Sequence, residues 1–484
     1  MTRCKIKSHN ERYYPADTLG LEAEEMRRLG HKVVDLVVDR LVHRHVEDAV
    51  LTGSSADLMA ALGAPLPDGP MDPDESLALL AEVALQHQQR GDHPRYFARV
   101  PGPSSFAAIL GEWLGTGFNT IAASWAGGSG PATLELIVIE WLRQLMGFPE
   151  GSEGILVSGG SHASLTAFSV ARSVCGKGVV YLTDQTHSSL VRNLKEMGWS
   201  EQHIRVLESD ENYKMSMERL TRAIGEDRAA GRRLSMVIGT AGTTNAGTVD
   251  PLHEIADMCH REDLWFHIDG AYGGPAAITQ KGRQYLSGIE RADSLVLDPH
   301  KWLFQPYDVG CVLVRRPGAL ERCFNMNPEY LKDVEAGAGE VDFRNRSLEL
   351  TRRSRAVKLW MSLRTYGVGR FRAAIDHGIK LAEFAETHLR SRPATWEVVT
   401  PAQIGVVCFS LKNTNPRQHA ARAKALSETG YACVSSTSLK GRSVLRLCTI
   451  NPLTTEDDIV GTIDRLEKAC TEKSSRATAP RRSE

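Results

Sequence analysis

In SLVLDPHKWLFQPYDVG, residues 294–310, a lysine follows an apolar run that reads as a buried strand. A buried ammonium is costly unless it is paired or has lost its charge. Covalent chemistry is one reason to keep Lys301 there, because a desolvated lysine amine attacks carbonyl carbons. A lysine at a strand end is more often a plain surface residue, so its neighbours decide. In HIDGAYGG, 267–274, Asp269 closes a second apolar run. Alone it reads as the start of a turn. At a strand end next to Lys301 it is a carboxylate in need of a cation, either a protonated pyridine nitrogen or the lysine itself. In LVSGGSHASL, 156–165, a strand enters a helix through a Gly-Gly-Ser turn. Backbone N–H groups at a helix N-terminus bind phosphate; Gly159 and Gly160 let the backbone come close, and Ser161 adds a hydroxyl. The turn is neither a Walker A loop nor a GxGxxG pattern. In DQTHSSL, 184–190, His187 stands just past another strand-like run.

An amine nucleophile, a carboxylate, a phosphate cradle and an imidazole at strand ends together describe a site for pyridoxal 5'-phosphate (PLP). The amine holds the aldehyde as a Schiff base, and the carboxylate keeps the ring nitrogen protonated so that the ring draws electrons. The imidazole can lie flat on the ring.

The segments SGGSHAS, DQTHSS, GTAGTTNAGTVDPL, WFHIDGAYGG and DPHKW stand in the order and spacing of a known family. With them the chain resembles the group II PLP-dependent amino-acid decarboxylases, close to the aromatic-L-amino-acid decarboxylases, over residues 22–470. That resemblance implies PLP fold type I and a homodimer whose N-terminal helices lap over the partner. It implies that Lys301 is the Schiff-base lysine, that Asp269 pairs with the pyridine nitrogen and that His187 stacks on the ring. Thr244 and Ala271 would line the ring, while Gly160, Ser161 and His300 would reach the phosphate. Arg446, in SVLRLC, matches an active-site arginine of the family. A group that binds the substrate carboxylate selects which bond at Cα breaks. Tyr330, in NPEYLKD, matches a loop tyrosine that governs protonation of the carbon left by CO2.

The sequence departs from the aromatic pattern where the substrate ring is enclosed. Gly91 stands where the family has Trp, Arg99 where it has Tyr, and Val100 and Ala123 where it has Phe. Each loss removes a large apolar wall, and Arg99 adds a charge that wants an anion or several acceptors. On the phosphate side, Asp298 and His162 replace a usual Asn and Glu. The substrate-binding set expected here is Arg446, Arg99, Val100, Ala123 and Trp125. The substrate expected is an L-amino acid larger or more polar than tyrosine, tryptophan or dopa, from specialised, antibiotic-type biosynthesis. A rival in the same scaffold turns O2 on the decarboxylated carbon and gives an aldehyde, ammonia and hydrogen peroxide. In other relatives, exchange of the loop Tyr for Phe accompanies that switch, and the retained Tyr330 and His187 favour simple decarboxylation. Aminotransfer would need a second keto acid. A non-catalytic PLP-fold protein should have lost Lys301, Asp269 or Tyr330, and all three are present.

The elements that must position these residues follow from periodicity. Between 105 and 315, helical segments alternate with strand candidates at 154–158, 178–182, 204–208, 235–240, 264–269, 294–298 and 310–315. Continuous apolar strands separated by helices predict an α/β fold with a mostly parallel seven-stranded sheet. Such sheets gather ligands at the strand C-termini. Residues 21–47 and the run LALLAEVALQHQQ have helical apolar spacing with no local strands to pack on. The expected organisation is an N-terminal helical dimerisation segment (1–104), a large PLP-binding domain (105–365), a small C-terminal α+β domain (366–470) and a disordered tail (471–484). The small domain shows two strand-like runs, GVVCFSL and SVLRLCTI, around a helix. The segment NMNPEYLKDVEAGAGEVDF lacks periodicity and reads as a mobile loop.

At 484 residues the chain exceeds one core. A net charge of -1 with no basic stripe argues against nucleic acid as a partner. Nine scattered cysteines without a CxxC pair point to reduced thiols and a cytoplasmic setting. No apolar leader or membrane-length run is read, and no metal-ligand spacing stands out.

Overall fold

Seven short runs become strands because nearly all their side chains can be buried on both faces of one sheet, a pattern that only a helix-covered, mostly parallel sheet satisfies. The computed structural model describes residues 19–326, 337, 339–412, 414–415 and 417–469. The strands are β1 (Glu153–Val157), β2 (Val179–Thr183), β3 (Ile204–Leu207), β4 (Leu234–Thr240), β5 (Trp265–Asp269), β6 (Ser294–Leu297) and β7 (Gly310–Val314). Their order is β1-β7-β6-β5-β4-β2-β3. β7 runs antiparallel to both β1 and β6, and the remaining pairs are parallel. The C-terminal ends of β1, β2, β4, β5 and β6 therefore open on one edge of the sheet. Asp269, the last residue of β5, lies in register with Thr240 of β4 and Val296 of β6.

The helix Gly160–Cys175 packs across the middle of the sheet and buries eight residues from Ala163 to Ala171. Its start is pinned by close backbone approach. A Cβ on Gly310 of β7 would lie 2.5 Å from the Gly159 Cα, so the strand and the Gly-Gly turn meet only because neither carries a side chain there.

A second sheet is antiparallel, in the order β10-β11-β9-β8. Its strands are β8 (Trp396–Gln403), β9 (Val406–Leu411), β10 (Ser435–Leu439) and β11 (Arg442–Cys448). Two of these, β9 and β11, match the apolar runs in the sequence; β8 and β10 carry too many half-exposed polar residues to show a period. Phe97, Phe409, Leu445, Leu447, Ile459 and Ile463 form the core beneath this sheet. The long helix Ala356–Arg390 contacts β8 and β9, and Gly367 interrupts its helical geometry at a φ of 68°.

The chain divides into two compact units, 1–88 and 89–484, and both sheets lie in the second. Residues 89–104, grouped above with the N-terminal segment, belong to that second unit: Phe97 is fully buried in the small-sheet core and its N–H donates to Cys433 O at 2.7 Å. In the first unit the helix Ala23–His43 buries none of its residues. The run expected as a single amphipathic helix begins earlier, at Pro73 with Asp72 as its cap, and widens to a π-helix over Leu79–Ala84. Among the described residues, no helix is long and apolar enough to cross a membrane.

Candidate active site

A cleft of about 700 Å³ opens at the C-terminal edge of the large sheet. Lys301, Asp269, His187, Gly160, Ser161, Thr244, Ala271, His300, Arg446, Arg99 and Val100 all line it. Gly160 and Ser161 follow β1, His187 follows β2, Thr244 follows β4, Asp269 and Ala271 end or follow β5, and His300 and Lys301 follow β6, as ligand sites at the C-terminal ends of parallel strands do. Arg446 comes from β11 of the small sheet, and Arg99 and Val100 from the chain ahead of the first strand.

Lys301 sits in the turn after β6, where its N–H donates to Asp298 O at 2.9 Å. Its Nζ lies 2.8 Å from Asp298 Oδ2. Burial pulls the lysine pKa down, but the charge and hydrogen bond of Asp298, with Asp269 behind it, outweigh that and hold it above its ordinary value. Asp269 is buried, and burial pushes its carboxyl up despite the nearby Lys301 charge and a hydrogen bond from the Ala271 N–H at 3.1 Å. A carboxylate held at such a cost is suited to a cation that arrives with a ligand.

His187 caps the helix Ser188–Glu196, with Nδ1 2.8 Å from Ser189 Oγ, which fixes the ring over the cleft side of β2. At the other end, Asn193 Nδ2 donates to Ser161 O at 2.7 Å and ties that helix to the Gly-Ser turn. His300 is anchored through Nδ1 to Val309 O at 2.7 Å; burial pushes its pKa down, opposed by Asp298. Gly160 is tightly bordered, because a Cβ would stand 3.0 Å from both Ala271 Cβ and Asp298 Oδ2, and these side chains would have to give way.

Several buried polar atoms on the cleft have no protein partner: Asp298 Oδ1, Thr240 Oγ1, Ser164 Oγ, His162 Nε2, and Arg446 Nε and Nη2. Buried polar groups are seldom left so. Arg446, on β11, is 2% exposed, and its Nη1 donates to Arg99 O. Arg99 itself is exposed and takes a left-handed backbone, φ 48°.

Two residues expected at the substrate, Ala123 and Trp125, do not line this cleft. Ala123 is buried with its carbonyl accepting from the Arg344 N–H, and the Trp125 N–H donates to Asp342 Oδ1 at 2.8 Å. Gly91 is also outside the lining, and the nearest atom to a Cβ placed there is Gly102 N at 3.5 Å. Tyr330 lies outside the described residues. Sequence reading missed the wall that faces the lysine from the small sheet: Ser435, Ser436 and Thr437 of β10, with Thr437 Oγ1 donating to Asn245 Oδ1 at 2.7 Å. The only signal in the sequence is a run of hydroxyls, SSTS, which also suits any exposed strand.

The description "pyridoxal-dependent decarboxylase conserved domain" matches residues 66–412. This chain belongs to that family. PLP is its cofactor, and the residues present fit it: a glycine cradle at a helix N-terminus for phosphate, a lysine amine for the aldehyde, and a buried carboxylate for the ring nitrogen. An aromatic-L-amino-acid decarboxylase from Bacillus atrophaeus is 44% identical, covering 92% of this chain and 95% of its own. A phenylacetaldehyde synthase from Arabidopsis thaliana is 33% identical, with 91% and 94% covered. Among solved structures, Oryza sativa TDC with PLP and tryptamine superposes with a TM-score of 0.88 at 28% identity, covering 95% of this chain and all of that one. The family's seven-stranded sheet and small C-terminal sheet are the two sheets described above.

Proposed function

We propose that this protein removes the α-carboxylate of an L-amino acid whose side chain is bulkier or more polar than a plain aromatic ring. The observation that carries this reading is Arg446. Its guanidinium is buried in the same cleft as Lys301, and two of its nitrogens have no acceptor. A planar cation in that condition is a receptor for a carboxylate.

When bound, PLP supplies an electron-withdrawing ring that stabilises negative charge at the substrate Cα. The chain does the rest. Lys301 anchors the cofactor, and Asp269 supplies the negative charge that keeps a ring nitrogen protonated. His187 packs the ring face, and Thr244 and Ala271 line its flanks. Gly160, Ser161 and His300 grip the phosphate end. Arg446 would hold the substrate carboxylate, and a carboxylate so held is the group at Cα set to leave as CO2. Tyr330 delivers the proton to the resulting carbon.

The missing aromatics at 99 and 100, and the hydroxyls of Ser435, Ser436 and Thr437, all on the cleft wall, support a polar or bulky substrate. The same features suit a specialised biosynthetic pathway. A second reading, oxidative release of an aldehyde with O2, is supported by the likeness to a protein named phenylacetaldehyde synthase.

Both are tested by one assay in which a panel of aromatic and bulky polar amino acids is scored for CO2, amine, aldehyde and peroxide together. Amine without peroxide from a bulky polar substrate is expected. Peroxide matching CO2 in amount would establish the second reading, and turnover confined to tyrosine or tryptophan would refute the substrate class. Tyr330→Phe should shift product from amine toward aldehyde and peroxide, and an unchanged ratio would remove Tyr330 from the protonation step.

A further inference from the structure

We propose that Asp298 accepts the proton Lys301 must shed during cofactor loading, and then presents that proton to the cofactor's phosphate. The inference rests on the reading of Lys301 and Gly160 as the two ends of the cofactor site.

Asp298 stands between those ends. Its Oδ2 is 2.8 Å from Lys301 Nζ and 3.6 Å from His300 Nε2. The same oxygen is 3.0 Å, and Oδ1 3.4 Å, from the point a Gly160 Cβ would occupy, so the carboxylate borders the cradle directly. Oδ1 is buried and has no partner. Among the described residues, Asp298 is the carboxylate within ion-pair distance of Nζ. The other ionisable groups whose charges reach this turn are Asp269 on β5, His187 after β2, Tyr307 before β7 and Lys358 on the long helix.

Two difficulties meet here. An ammonium has no lone pair for the aldehyde, yet Asp298 holds Lys301 as an ammonium. A phosphate carries close to two negative charges near neutral pH, yet its cradle is bordered by a carboxylate. At a few ångströms, in a buried site, such repulsion is severe. One proton transfer removes both. The proton passes from Nζ to Asp298, leaving a neutral amine and a neutral carboxylic acid. The amine lone pair forms the bond to the aldehyde carbon; both amine hydrogens depart with the aldehyde oxygen as water, and C=N replaces C=O. The carboxylic acid keeps the transferred proton and donates it in a hydrogen bond to phosphate, a short and strong type of contact. An asparagine, usual here in the resembled family, has an amide that could donate to phosphate, but it cannot take up the proton.

Infrared difference spectra of apo and PLP-loaded protein test this, with loading followed by the visible absorbance of the bound cofactor. Wild type should gain a carboxylic-acid C=O band that shifts in D2O. Loaded Asp298→Asn should lack it. Wild type loaded with pyridoxal, which has the aldehyde but no phosphate, should show the band at a higher frequency, that of a carboxylic acid without the phosphate hydrogen bond, and this arm needs no variant to fold. Loading without the band, a band that survives in Asp298→Asn, or a band at the same frequency with pyridoxal as with PLP each overturns the proposal while leaving the cofactor site intact. A wild type that takes up no cofactor overturns the site itself.

Discussion

Arg446 illustrates how one side chain can choose a reaction. Its burial would be hard to sustain without an anion, since two nitrogens face no acceptor. Replacing it with methionine keeps length and apolar volume but removes the receptor. Arg446→Met should lower kcat/KM by roughly 100-fold, about 3 kcal/mol, the scale of a charge-assisted hydrogen-bond pair. Cofactor absorbance should remain, because Arg446 lies on β11 and not on the turn that holds Lys301. Steady-state kinetics beside a cofactor titration check both halves, and loss of the cofactor would reassign the residue. At this scale much of the site was legible. Lys301, Asp269 and His187 each end or follow an apolar run, and their combination has few meanings. Ser435, Ser436 and Thr437 were not legible, because they reach the cleft from a small sheet 130 residues further along the chain than Lys301 and carry no spacing that distinguishes them.

Elements hold these residues in place through contacts that leave little tolerance. Gly310 opens β7 against the Gly159 backbone, where an added Cβ would lie 2.5 Å from Cα. Backbone cannot give way as a flexible side chain does. Gly310→Ala should therefore destabilise the fold by about 1–3 kcal/mol, the usual cost of overpacking, and weaken cofactor retention by displacing the Gly159–Gly160 turn. Thermal melts with and without PLP check this; a variant with unchanged retention would show that the turn adjusts independently of β7. A second device lies deeper in β5. Ser294 Oγ accepts from Trp265 Nε1 at 2.8 Å and lies 2.8 Å from His267 Nδ1. The imidazole Nε2 is buried and unpartnered, and the ring packs edge-on against Phe168. Burial pushes the folded value of His267 from 6.5 to about 3. Unfolded chain binds a proton below 6.5 that the folded chain refuses, so stability is unaffected above that pH and falls as pH drops toward 3. The loss approaches roughly 1.4 kcal/mol per pH unit. In His267→Gln the slope of stability against pH between those limits should shrink by about one proton; an unchanged slope in denaturant titrations would acquit this histidine. The seven strand positions were legible to within a residue or two because both faces are buried and the runs are continuous. Strand order, and the half-exposed strands β8 and β10, depend on partners that no local run reveals.

For the whole molecule, the first unit poses the problem of what its apolar surface is for. The helix Ala23–His43 has apolar residues at helical spacing and buries none of them; Met26, Val34 and Leu36 are exposed, as are Met59 and Leu66 further on. Ala49 is the one buried hydrophobic residue in the core among those described up to residue 88. Residues 19–88, with that inventory, have no core of their own, and monomers rarely leave so much apolar surface in water. A second copy of the chain is the partner we propose. Pairing of this apolar helix with its copy would make oligomerisation a condition of stability rather than an addition to it. Light scattering on the full chain should give twice the 53.2 kDa monomer mass. Removing residues 1–88 should give a species of single-chain mass or a precipitate. A full-length monomer at micromolar concentration would leave the exposed face of Ala23–His43 without a purpose and return the N-terminal segment to question. Retention of the dimer after truncation would instead move the interface to the second unit, where Phe106, Leu114, Phe118 and Ile121 form the next exposed apolar group along the chain.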